Sequence, residues 1–124
     1  MTRWIVDGMN VIGSRPTGWW RDRPGAMRAL VEALDAFAER GRDAVTVVFD
    51  GKPFELEHSD RVEVLFASRR GRNAADDDIA ALVESDADPA GISVVSSDGE
   101  LARRVRDAGA AVVGAGEFRR RLDG

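Results

Sequence analysis

Aspartate closes three apolar runs of this chain: Asp7 in RWIVD, Asp50 in AVTVVFD and Asp98 in ISVVSSD. Three more acids, Asp76, Asp77 and Asp78, stand together at the head of AADDDIAALVES. Taken singly, a strand-end aspartate is equally well explained by turn and helix-cap chemistry. As a group they ask for more, because two bare carboxylates about 4 Å apart repel by roughly 4 kcal/mol at an effective dielectric near 20. A fold that gathers several needs a counter-charge, and all-oxygen donors suit Mg2+ or Mn2+ rather than zinc. Such an ion activates water and stabilises the leaving oxygen of an in-line displacement. His58, in the polar run FELEHSD, reads as a solvated side chain rather than a ligand.

Five apolar runs would carry these acids: Arg3–Asp7, Ala44–Asp50, Val62–Ala67, Ile92–Asp98 and Ala110–Gly114. They are β-branched and nearly continuous, as expected of a parallel sheet covered on both faces. Between them, PGAMRALVEALDAFAERG spaces Met27, Leu30, Val31, Leu34 and Phe37 at helical intervals, with Pro24 at its start and Gly41 at its stop. AADDDIAALVES and DGELARRVRDAG read as shorter helices, the second capped by Gly109. The alternation predicts an α/β fold, a three-layer α/β/α sandwich around a mostly parallel sheet of about five strands. Ligands of such sheets bind beyond the carboxyl ends of the strands, where Asp7, Asp50 and Asp98 would share an edge.

Helical geometry divides the triple aspartate. With Ile79, Leu82 and Val83 buried, Asp76 falls about 70° from the centre of that face, Asp78 about 90° off on the other side, and Asp77 nearly opposite. Asp76 is therefore expected to face the sheet edge. Asp77 and Asp78 are expected to be first-turn acids set against the helix dipole, or outer companions of the site.

The 124 residues are expected to form one domain, 1–124, with a net charge of −4 that argues against a generic nucleic-acid coat protein. Cysteine is absent, which excludes thiolate ligands and cysteine nucleophiles. The first apolar run is too short for a signal peptide and no later run is long enough to span a membrane, so a cytoplasmic protein is expected. Arginine clusters at 21–23, 69–72, 103–106 and 119–121, and Lys52 is the only lysine among 18 basic residues.

WIVDGMNVIG, VTVVFDG, NAADDDIAALV and SVVSSDGELARRV, in this order, resemble the NYN-domain family and especially its YacP-like members. That family is a branch of the PIN-like metal-dependent ribonucleases. The resemblance implies a PIN-like fold and cleavage of RNA phosphodiester bonds, in the endonucleolytic manner, with one or two Mg2+ or Mn2+ ions. Carried across, Asp7, Asp50, Asp76 and Asp98 fall on the acidic, metal-binding positions. Asn10 falls on the asparagine after the first acid, and Ser97 on the small hydroxyl beside the last. Met9 replaces a frequent aromatic, a departure that concerns packing. Implied partners are RNA and no membrane; a homodimer and the ribosome or RNA-processing machinery stay open.

Arg69, Arg70 and Arg72 precede the Asp76 helix and would hold phosphates there, or else serve only solubility. Trp19 and Trp20 would stack on bases or, on balance, cover apolar surface. Arg119–Arg121 reads as a solvated tail. Other phosphoryl-transfer arrangements fit less well: Met9 stands where a haloacid-dehalogenase-type site needs its second aspartate, and no late lysine serves a receiver-type site. The competing reading is a non-catalytic RNA-binding or ribosome-associated module. Acids gathered near phosphates argue against it.

Overall fold

The β-branched runs pair as one parallel sheet. In the computed structural model, which describes residues 2–71 and 73–124, its strands are β1 (Arg3–Asp7), β2 (Ala44–Phe49), β3 (Val62–Phe66), β4 (Ile92–Val95) and β5 (Ala111–Val113). Their order is β3-β2-β1-β4-β5. β1 is central, with Val6 opposite Val47 on one side and Val95 on the other. The helices are α1 (Gly8–Ile12), α2 (Arg23–Gly41), α3 (Ala74–Glu84), α4 (Gly99–Asp107) and α5 (Ala115–Asp123).

Successive strand residues face opposite ways, so each strand serves two cores. Trp4, Val6, Val45, Val47 and Phe49 pack against α1, α2 and α5. Ile5, Val48 and Val94 pack against α3 and α4. The same alternation gives Asp7 the parity of Ile5, towards the α3 and α4 layer. Helix ends follow local chemistry: Asp22 accepts from the Gly25 amide at 3.1 Å to start α2, and Gly109 takes the left-handed conformation after α4 (φ 107°).

Two expectations need correction, and one element is new. β4 stops at Val95, so Ser96, Ser97 and Asp98 leave the strand rather than finish it. The five-residue α1 was not foreseen, because its single turn has no side-chain cap and runs straight on from β1. The arginines at 119–121 are not a solvated tail but belong to α5. Phe118 is fully buried there, 5.3 Å from Trp4 and 5.1 Å from Phe37 between ring centroids. Arg119 donates to the Val11 carbonyl at 3.3 Å, and the Arg121 guanidinium lies 5.7 Å from the Trp4 ring centroid. The charge run hid an apolar pair one turn apart, Phe118 and Leu122, that holds the helix to the sheet.

Candidate active site

The order of strands reverses between β1 and β4, and the crevice beyond their carboxyl ends is where an open α/β sheet takes ligands. Asp7 closes β1 at this point and is only 5% exposed. Gly8 follows it because α1 turns off directly against β2: a Cβ there would stand 2.5 Å from the Phe49 ring. Burial, followed by the charge of Asp76 and, more weakly, that of Asp50, pushes Asp7 up to about 7. The Asn10 backbone amide and the Ser96 hydroxyl hydrogen-bond to it and hold the rise back.

Asp76, Asp77 and Asp78 point to three different places. Asp76 is half-buried towards the crevice; burial, then the charges of Asp98 and Asp50, raise its pKa, and a hydrogen bond with Asp7 opposes the rise. Asp77 takes Arg104 Nη1 at 2.9 Å and also pairs with Arg69, and these two hydrogen bonds hold its carboxyl below the usual range. Asp78 accepts from the amide and hydroxyl of Ser68 at 2.6 and 2.8 Å, fastening the loop between β3 and α3. Asp77 is thus an arginine bridge rather than only a dipole partner, and Asp78 is turned away from the other acids. An apolar cavity of about 300 Å³ between β3 and α3 is lined by Asp78 but by none of the converging acids.

Asp50 and Asp98 complete the group from either side. Asp50 Oδ1 accepts from the Ala75 amide at 3.2 Å, which ties the end of β2 to the first turn of α3. Asp98 caps α4 through the Leu101 amide at 2.8 Å, so its turn-and-cap role coexists with its place beside Asp76. The Asn10 side chain does not enter the crevice as a free group: its Oδ1 accepts from the Ser97 amide at 2.8 Å. Ser97 Oγ in turn accepts from the Ala115 amide at 2.9 Å, anchoring α5. The serine that meets the acids is Ser96, 2% exposed, donating to Asp7 Oδ2 at 3.3 Å and accepting from the Asp98 amide at 3.1 Å. The resemblance singled out its neighbour, Ser97. Strand alternation contained the signal, since Ser96 has the parity of Val94 and hence faces the Asp7 side.

Among the described residues, no lysine or arginine forms an ion pair with Asp7, Asp50, Asp76 or Asp98. Nor are three or more acidic or imidazole side chains among them arranged as a ready metal cage. The donor chemistry nevertheless fits a hard divalent cation: Asp7, Asp50, Asp76 and Asp98 all offer oxygen, and after burial the charge of neighbouring acids adds to the rise of Asp7 and Asp76. Beside Asp50 a cleft of about 500 Å³ is rimmed by Arg23, Lys52, Arg69 and Arg70. Arg23 donates to the Asp50 carbonyl at 3.0 Å. Arg72, grouped with Arg69 and Arg70 in the sequence, lies outside the described residues. Trp19 packs on the core of the α2 layer, whereas Trp20 is 58% exposed.

The model of the YacP-like NYN domain matches residues 4–124. Among solved structures the chain is similar to Rae1 (YacP) from Bacillus subtilis, with a TM-score of 0.79 and 26% identity over 99% of this chain and 74% of that one. A tryptophan-to-leucine mutant of the same protein gives a TM-score of 0.80 and 26% identity over 98% and 74% of the two chains. No curated protein matches the sequence. Among the described residues no helix is long and apolar enough to cross a membrane.

Proposed function

The chain belongs to the YacP-like NYN domain family, whose nature is that of a ribonuclease, and from this premise we propose that it is a Mg2+- or Mn2+-dependent endoribonuclease. The observation that carries the reading is the convergence of Asp7, Asp50, Asp76 and Asp98 on one crevice without a basic partner among the described residues. These four carboxylates would hold one or two ions. Held by these carboxylates, a divalent ion would supply neutralisation of their charge, a lowered pKa for water and stabilisation of the leaving oxygen.

The chain's own groups supply the rest. Ser96 fixes the orientation of Asp7 and links it to the Asp98 backbone. Asn10 and Ser97 hold the turn after β4 against α1 and α5, which sets where Asp98 stands relative to Asp7. Arg70, Lys52 and Arg69 border the Asp50 cleft and would grip phosphates of the strand being cut. That cleft is a surface feature rather than a tunnel, which suits entry of an RNA chain at an internal bond.

Labelled RNAs of several shapes, incubated with and without Mn2+ or Mg2+, test the proposal. Cleavage should require the ion and should vanish in Asp76→Asn. Metal-independent binding without turnover would establish the competing reading, a binding module on the same fold.

A further inference from the structure

Trp20 is an exposed tryptophan beside a packed one. Among the described residues it is the one large hydrophobic side chain that is exposed. Its neighbour Trp19 is packed on the core and braces it edge-on, at 5.9 Å and 83° between the rings. The Arg21 guanidinium lies 5.8 Å from the Trp20 centroid. Gly18 makes the turn that starts this segment, in the left-handed conformation at φ 76°.

The segment is also tied to the candidate site. Arg23, three residues on, hydrogen-bonds to the Asp50 carbonyl at 3.0 Å and borders the same cleft as Lys52 and Arg70. Three residues of chain reach at most about 10 Å. An exposed indole within a few nucleotides of the acids, among guanidinium and ammonium groups, has the composition of a single-strand platform, in which aromatic faces take bases and cations track the backbone. A protein-binding hot spot would instead need an apolar pocket and a surrounding ring that excludes water. The groups seen against Trp20 are the Trp19 ring and the Arg21 guanidinium, which favours the platform.

We propose that Trp20 stacks on an unpaired base of the RNA strand entering the Asp50 cleft, and so gives the site a preference for single-stranded over paired RNA. The proposal rests on the ribonuclease reading, which a separate measurement tests. A single-stranded oligoribonucleotide, a matched abasic strand and a duplex are titrated with the full chain in EDTA, followed by anisotropy of the labelled strand. Trp20→Ala should weaken binding of the base-bearing strand about five- to hundredfold. Binding of the abasic strand and the duplex should not change, and Trp20→Phe should retain most of the affinity. Tryptophan emission should fall when the base-bearing strand binds to the wild type, and this quenching should be lost in Trp20→Leu.

Equal affinity of wild type and Trp20→Ala for the base-bearing strand would overturn the proposal. So would an equal loss on the abasic strand, or no RNA binding by the wild type, which would leave Trp20 to a protein partner. Trp20-dependent binding without Mn2+-dependent cleavage would uphold the platform and overturn the nuclease. Cleavage with binding indifferent to Trp20 would do the reverse.

Discussion

Asp76 and Asp77 are adjacent on α3, and the two flanks they face differ in burial and in whether charge is paired. On the Asp76 flank, burial and then the neighbouring acids raise the pKa. On the Asp77 flank, one acid bridges Arg69 and Arg104, joining the loop after β3 to α4, and the pKa falls. About 100° of helical rotation separates a carboxylate without a basic partner from one held between two arginines. The comparison teaches that the crevice is costly by itself, and that an external cation would relieve the cost.

The severest way to break the contrast is to neutralise its unpaired side. Asp76→Asn and Asp7→Asn should each lower the rate of metal-dependent RNA cleavage by more than about a hundredfold, the upper range for losing a mere outer-shell partner of a ligand. Calorimetric titration should show Mn2+ binding in the wild type and strong weakening in Asp7→Asn. Equal Mn2+ affinity in both would remove the metal site.

Next in size is the dependence of stability on pH without divalent ions. Asp7 is raised from 3.8 unfolded to about 7 folded, so its contribution is fully present below pH 4 and is lost as the pH rises through about 7. Between pH 5 and 8 the EDTA-treated protein should therefore lose stability on this account, by roughly 2 to 3 kcal/mol. Asp7→Asn should flatten that slope and melt higher than the wild type at pH 8; saturating Mn2+ should flatten it too. A wild-type melting temperature that climbs over this range, with Asp7→Asn climbing in parallel, would mean that the crevice carries no such strain.

Smaller effects belong to the paired side. Replacing Arg69 and Arg70 by alanine should weaken binding of unrelated RNA sequences alike and reduce the salt slope by about one for each phosphate that is no longer neutralised. An unchanged slope would assign both to solvation. The smallest change is expected of Asp77→Asn: most of the activity kept, and a slight drop in melting temperature as the bridge between Arg69 and Arg104 opens. Should Asp77→Asn abolish cleavage while Asp76→Asn retains it, the two flanks exchange roles.

Much of this arrangement was legible in the chain, for reasons that differ by element. The strands announce themselves because a sheet buried on both faces needs unbroken β-branched runs, and four of the five end within a residue of where those runs do. Asp76 could be separated from Asp77 because Ile79 and Val83 fix the rotation of α3. α5 was hidden by its arginines, which outnumber the two apolar residues that secure it. Ser97 comes from the resemblance and turns to the Ala115 amide, whereas Ser96, which no motif singled out, is the hydroxyl that meets Asp7. The pairing of Arg69 with Asp77 depends on how the loop after β3 folds back on α3, which no local pattern encodes.

The hydrogen bonds that hold the acids together also set an order of events. Ser96 reaches Asp7 across 89 residues of sequence, and Ser97 reaches Asn10 across 87. Closing such loops costs entropy that is recovered only when β4 pairs with β1. A molecule in which β1, β2 and β3 have paired already shows Asp7 and Asp50 at one edge, yet it lacks Asp98 and the serine that orients Asp7. On refolding, metal affinity should therefore arrive in step with the docking of β4, after the first half of the sheet is made. The centre is completed only by the strand pairing that spans the most sequence, and its appearance would time that pairing.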